Sequence, residues 1–222
     1  MKSNHKINVE NFIKELKKFD TKNLSRAKYI FNPWTTSDES DINKNAHIIR
    51  CSNLENYLLN IENPDYILIA ESPSKGARYT GIAMTSEKSI KEYKLPFQYT
   101  SKNYKKYKRG ESTATKVWRE IKKSDACWKN FVFWNAFAFN IHKDAGKWFE
   151  NPLPDELEKN KNILESFINI YPNAKIIAIG NNAKMALNSL GKMNIEYIRH
   201  PSNDYAKRGE GKTFPEQISK FL

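Results

Sequence analysis

The sequence predicts an α/β protein: a single domain whose central four-stranded parallel sheet is flanked by helices in three layers, α/β/α. Three observations carry this. Four short apolar runs have strand character: Tyr66 to Ala70, Phe131 to Trp134, Lys175 to Ile179 and Ile195 to Ile198. Stretches of helical spacing separate them, and strands alternating with helices give parallel sheets covered on both faces. The 222 residues show no linker-like shift in composition, so residues 1–222 are read as one domain, with residues 1–25 as a helical extension at its start.

In chain order, Val9, Phe12, Ile13, Leu16 and Phe19 fall on one helical face, so the first segment is expected to lie as an amphipathic helix on the domain. YIFNPW, Tyr29 to Trp34, reads as a turn entry with aromatic anchors. Ser52 to Glu55 has capping-box spacing ahead of Tyr57, Leu58, Leu59 and Ile61, which predicts a second helix. Later helices are predicted over Thr113 to Lys122, Pro154 to Ile170 and Ala183 to Leu190, the last closed by Gly191. Two stretches read as mobile surface loops: Lys88 to Gly110, rich in Lys and Tyr, and the polar Asn203 to Lys212. Their alternative reading is a basic, aromatic surface that tracks a phosphate backbone.

With 37 Lys and Arg against 25 Asp and Glu, the net charge of +12 favours a polyanionic partner. The competing explanation is a general abundance of lysine. No apolar run reaches the ~18 residues that span a bilayer, and the polar start MKSNHKINVE lacks the apolar stretch of a signal peptide. A cytoplasmic protein, free of any membrane, is expected. Cys51 and Cys127 stand far apart and the four histidines are scattered, so neither a disulfide framework nor a metal site is predicted.

Ligands of open α/β sheets sit beyond the carboxyl ends of the strands. Here each strand runs into polar residues: Glu71 after the first, Asn135 after the second, Gly180-Asn181-Asn182 after the third, and His200-Pro201-Ser202 after the fourth. Singly these are a turn acid, a turn amide, a helix cap and a loop histidine. Together they describe one pocket with an acid, a bidentate amide, an anion nest and an imidazole. Neither G-x-G-x-x-G nor the phosphate loop G-x-x-x-x-G-K-[ST] occurs, nor does a G-x-S-x-G elbow, which argues against dinucleotide, NTPase and serine-hydrolase chemistry. No cofactor is expected.

From about Asn32 to Ile218 the chain resembles the uracil-DNA glycosylase superfamily, in a bacterial branch without an iron–sulfur cluster. ESPSKGARYTGIAMTSE resembles the first motif, WNAFAFN the segment after the second strand, GNNAKMAL the third-strand turn, and RHPS the closing His-Pro-Ser. RCSNLENYL and ESTATKVW fit the same branch.

The resemblance implies a monofunctional glycosylase. It would flip uracil or a related deaminated base out of single- or double-stranded DNA and hydrolyse its N-glycosidic bond in base excision repair, as a monomer. It implies that Glu71 stabilises the sugar cation or orients the attacking water, and that His200 donates to the 2-carbonyl of the leaving base. Asn135 would read the base edge, and Met84 would stand where the branch usually has a stacking Phe, a core role being the alternative. Ser72 holds the position that carries an activating Asp in the best-known branch. Ser202, Gly180 and Asn181 would hold flanking phosphates, with Lys75 and Arg78 adding to the grip or serving only as solvated loop charges.

The chain departs from the pattern at Ala70 and Ser74, where glycines are usual, at Ala83-Met84, and after His-Pro-Ser, where NDYAKRGEGK lacks an apolar wedge. An eroded glycosylase-fold protein that binds DNA or a free base is the second reading.

Overall fold

The computed structural model describes residues 3–102, 112–141, 151–192, 194–201 and 212–222, without the side chains of Lys75 and Ser112. Eight α-helices are among them: α1 Asn4–Lys18, α2 Ala46–Leu59, α3 Lys75–Arg78, α4 Glu87–Glu92, α5 Ser112–Lys123, α6 Pro154–Ile170, α7 Asn181–Ser189 and α8 Phe214–Ile218. The strands are β1 Ile30–Phe31, β2 Tyr66–Ala70, β3 Phe131–Asn135, β4 Asn140–Ile141, β5 Lys175–Ile179 and β6 Glu196–Ile198.

The main sheet has the order β3-β2-β5-β6 and every neighbouring pair is parallel. β2 is central because its run of Ile67, Leu68 and Ile69 is apolar on both faces, as a doubly covered strand requires. Successive residues of β3 point to opposite layers. Trp134 stacks on Phe167 of α6 at 4.7 Å and meets Phe12 of α1 at 5.1 Å, whereas Phe133 meets Trp118 of α5 at 5.5 Å and Tyr57 of α2 at 6.5 Å. Helices therefore cover both faces, as the alternation of strand and helix predicts. The predicted strand boundaries hold to within one residue at each end.

Three expectations need correction. α2 begins at Ala46, six residues before the capping-box serine, so Ser52 lies inside the helix. The added turn carries Arg50, which is fully buried against Asp41 at 2.7 Å and donates to Pro33 O and Thr36 O, both at 2.6 Å. A paired and fully bonded guanidinium tolerates that burial; a lone one would not.

Second, the stretch from Lys88 to Lys102 is packed rather than a mobile loop. α4 occupies its start, Ile90, Leu95 and Phe97 are buried, and the Glu87 carboxylate accepts from the N–H groups of Thr100 and Ser101 at 2.8 and 2.9 Å. Residues 103–110 of that reading, and Asn203 to Gly211 of the other, fall outside the described residues. Third, the Tyr29 to Trp34 turn contains a strand, since β1 pairs antiparallel with β4 through Ile30 opposite Ile141 and Phe31 opposite Asn140. No helix among the described residues is long and apolar enough to cross a membrane.

One glycine fixes the loop between β2 and α4. Gly81 has φ +73°, and a Cβ there would lie 2.8 Å from both Cβ and O of Arg50. Trp34 Nε1 donates to the Gly81 carbonyl at 3.2 Å, so the backbone cannot back away without losing that bond. Gly81→Ala is expected to cost ~2 kcal/mol or more, a fall in melting temperature of about 6 °C. A thermal melt at the wild-type temperature would show that Arg50 yields freely.

Candidate active site

Because the sheet is parallel, all four carboxyl ends lie on one edge. Glu71 follows β2, and its backbone is held there because the β2–β3 ladder runs on past the strands: Ala136 N donates to Ala70 O at 2.7 Å and Phe137 N to Glu71 O at 2.9 Å. Asn135 ends β3 beside Ala70 in the ladder. On the other side of β2, the turn after β5 starts at Gly180, whose N–H donates to Ile198 O of β6 at 2.9 Å.

That turn touches both candidate catalytic groups. Gly180 has φ +88°, and a Cβ on it would sit 3.0 Å from the Cβ of His200, so the imidazole residue packs directly over the glycine. Two residues on, Asn182 Nδ2 donates to Glu71 Oε1 at 2.6 Å. The acid and the imidazole thus flank one turn, each by its own contact with it.

Their environments set their charge. Glu71 is half-buried, and burial pushes its carboxyl above the usual glutamate range, with the Asn182 bond opposing that rise. His200 is also half-buried; burial, reinforced by the nearby Lys116 cation, lowers its imidazole below the ordinary value, so the ring is neutral at pH 7. Thr113 Oγ1 lies 3.5 Å from His200 Nε2, and Lys116 donates to the Pro201 carbonyl, so α5 braces the His200-Pro201 turn.

The loops around the site are pinned by buried amides and indoles that sequence reasoning missed. Asn140 Nδ2 donates to Pro73 O at 3.1 Å and Ser74 O at 2.9 Å, fixing the turn after Glu71. Asn160 of α6 donates to Ala136 O at 2.7 Å and receives Ala138 N–H at 3.4 Å. Trp118 Nε1 donates to Met84 O at 3.0 Å. The only available signal was polar residues amid apolar runs, such as Asn140 in AFNIH.

Of the remaining predicted site residues, Asn135 is 3 % exposed, has no side-chain hydrogen bond to the described residues, and lines a small cavity with Pro73, Trp134 and Asn140. Trp134 Nε1 and Asn140 Oδ1 are likewise buried without partners among the described residues. Ser72 is half-buried in the bend between Glu71 and Pro73, and Asn181 is exposed at the start of α7.

Others are placed differently from expectation. Met84 is 2 % exposed in the core with φ +48°, and Ile82 and Ala83 line the cavity in its place. Arg78 is 4 % exposed, ion-paired with Asp38, bonded to Ser40 Oγ at 3.1 Å and stacked 4.1 Å over Phe31. That is an internal brace and not a hand held out to phosphate. The Gly180 N–H is committed to the sheet, so it too leaves the phosphate set. Lys75 opens α3, its side chain lies outside the described residues, and so does Ser202.

A four-stranded parallel sheet between helical layers, with polar residues gathered at one edge, is a three-layer α/β/α fold, and this chain shares that fold with a solved structure. Among solved structures, SMUG2 of Pedobacter heparinus superposes with a TM-score of 0.64 and 16 % sequence identity, over 96 % of this chain and 96 % of that one. No family model and no curated protein matches the sequence.

Proposed function

We propose that the chain is a monofunctional DNA glycosylase that releases uracil or a related deaminated base from DNA, acting as a monomer in base excision repair. The observation that carries this is the common turn: Asn182 bonds Glu71 while Gly180 seats His200, so an acid and a neutral imidazole share one edge of the sheet with Asn135.

In this reading a flipped nucleotide lies with its base toward Asn135 and His200 and its sugar toward Glu71. The bond between C1′ and the base nitrogen breaks, and its electron pair leaves with the base. The neutral His200 ring donates N–H to the 2-carbonyl where that negative charge gathers. The ionised Glu71 stabilises the cationic sugar and accepts a hydrogen bond from a water. The water oxygen attacks C1′, its proton passes to Glu71, and an abasic site remains. Asn135 accepts from the imide N–H and donates to the 4-carbonyl, a pattern that cytosine cannot match. Flanking phosphates meet Asn181, Lys75 and Ser202, backed by the net charge of +12.

The test is incubation with single- and double-stranded oligonucleotides containing uracil, followed by alkali. Scission at the uracil position is expected, and intact strands at high enzyme excess would overturn the reading. A non-catalytic DNA- or base-binding role has two departures in its favour, Met84 and Ser74, which stand where the family resembled usually has Phe and Gly. It predicts binding without scission in the same assay. Asn135→Asp is expected to raise the rate on cytosine relative to uracil at least tenfold; an unchanged base preference measured on paired substrates would remove the readout role.

A further inference from the structure

We propose that Asn182 is the positioning residue of this site: its amide anchors one oxygen of Glu71 and thereby assigns the other oxygen to the attacking water. The proposal deepens the glycosylase reading and rests on it.

Glu71 is held at two points by two different elements. Its backbone carbonyl receives the Phe137 N–H at 2.9 Å from the chain following β3, and its Oε1 receives Asn182 Nδ2 at 2.6 Å from the first turn of α7. Oε2 has no hydrogen bond to the described residues. With one end of the side chain fixed by the ladder and one oxygen by the amide, Oε2 retains one narrow arc of positions. A water bound to it is held in place before the sugar arrives, and such preorganisation is how a carboxylate selects one trajectory.

The amide also suits the charge state the reaction needs. Burial opposes ionisation of Glu71, and an N–H donor bonds a carboxylate more strongly than it bonds a carboxylic acid. Among the described residues, burial raises the Glu71 carboxyl and Asn182 opposes that rise. Asn182 sits on a helix whose Ala183, Ala186 and Leu187 are buried against the sheet, so the donor is carried by a rigid element. Asn182 touches Glu71 and no reacting atom, so its role runs through that carboxylate.

The test uses Asn182→Ala and the isosteric Asn182→Asp in the full chain. Both are expected to lower kcat on a uracil oligonucleotide at pH 7 by about tenfold with KM little changed. In both, the acid limb of the rate profile moves to higher pH, more so for Asp, whose second carboxylate shares protons with Glu71. The deficit therefore widens as pH falls and narrows as it rises. A carbon-13 titration of the Glu71 carboxyl, read by NMR without substrate, moves upward in the same order. Wild-type profiles in both variants, or a pH-independent deficit with an unmoved carboxyl titration, would overturn the proposal while leaving the glycosylase reading intact. Lack of base release by the wild-type chain overturns the glycosylase reading itself, and this proposal with it.

Discussion

Glu71→Gln is expected to reduce base release by ~10³-fold or more while the protein folds and still binds DNA. The amide keeps the size of the side chain and leaves an oxygen for Asn182 Nδ2, so the turn after β5 stays tied to β2. Under the proposed mechanism, what disappears is the negative charge that faces the sugar and the base that takes the proton from water. Stability moves the other way. The folded-state carboxyl is raised, so the folded protein binds its proton more readily than the unfolded chain does, and ionising Glu71 destabilises the fold as pH rises through that window. Gln removes this penalty, and the melting temperature of the variant at pH 7 should equal or exceed that of the wild type. Single-turnover rates beside thermal melts check both halves. Wild-type turnover in this variant removes Glu71 from the mechanism.

His200→Ala is the second large effect, a loss of ~10²–10³-fold in turnover, as expected for one donor to a developing anion. Its signature is the pH profile. Protonating His200 at low pH would strengthen its N–H as a donor, so the proposed mechanism gives the acid limb to Glu71, and His200→Ala should keep that limb at a lower plateau. Glu71→Gln should flatten it. The stability sign is also defined: burial and Lys116 depress the imidazole in the fold, so the unfolded chain takes up the proton first, and the wild type loses stability as pH falls below the ordinary histidine value of 6.5. That component should be absent from His200→Ala. Rate profiles of the two variants, measured on one substrate from acid to neutral pH, separate the roles; an acid limb abolished by His200→Ala would exchange them.

Much of the site was legible because its residues stand where apolar runs stop. Glu71, Asn135, Gly180 and His200 punctuate four strands, and a parallel sheet puts such punctuation on one edge. Legibility failed where a partner lies far along the chain. Arg78 reads as a free cation because Asp38 is 40 positions away, and the apolar pattern of α2 starts late because Arg50 interrupts it until Asp41 is brought to it. Lys88 to Lys102 read as a loop because Glu87, Thr100 and Ser101 satisfy one another only when folded. By sequence Asn182 belongs to an anion nest; its contact with Glu71 spans 111 positions.

The sequence by itself determined the four strands of the main sheet, the helices α1, α5, α6 and α7 and their order along the chain, the apolar face of α1 formed by Val9, Phe12, Ile13 and Leu16, and which residues stand at the strand ends. These follow from hydrophobic periodicity, which acts over a few residues and needs no partner. Only the tertiary structure decided which donor meets which acceptor. Placing β2 between β3 and β5 brings the Asn182 amide to Glu71, seats His200 on Gly180, and turns Met84 and Arg78 inward. A hydrogen bond or ion pair across a sheet has no energy until the crossovers are made, so residue spacing along the chain carries no record of it.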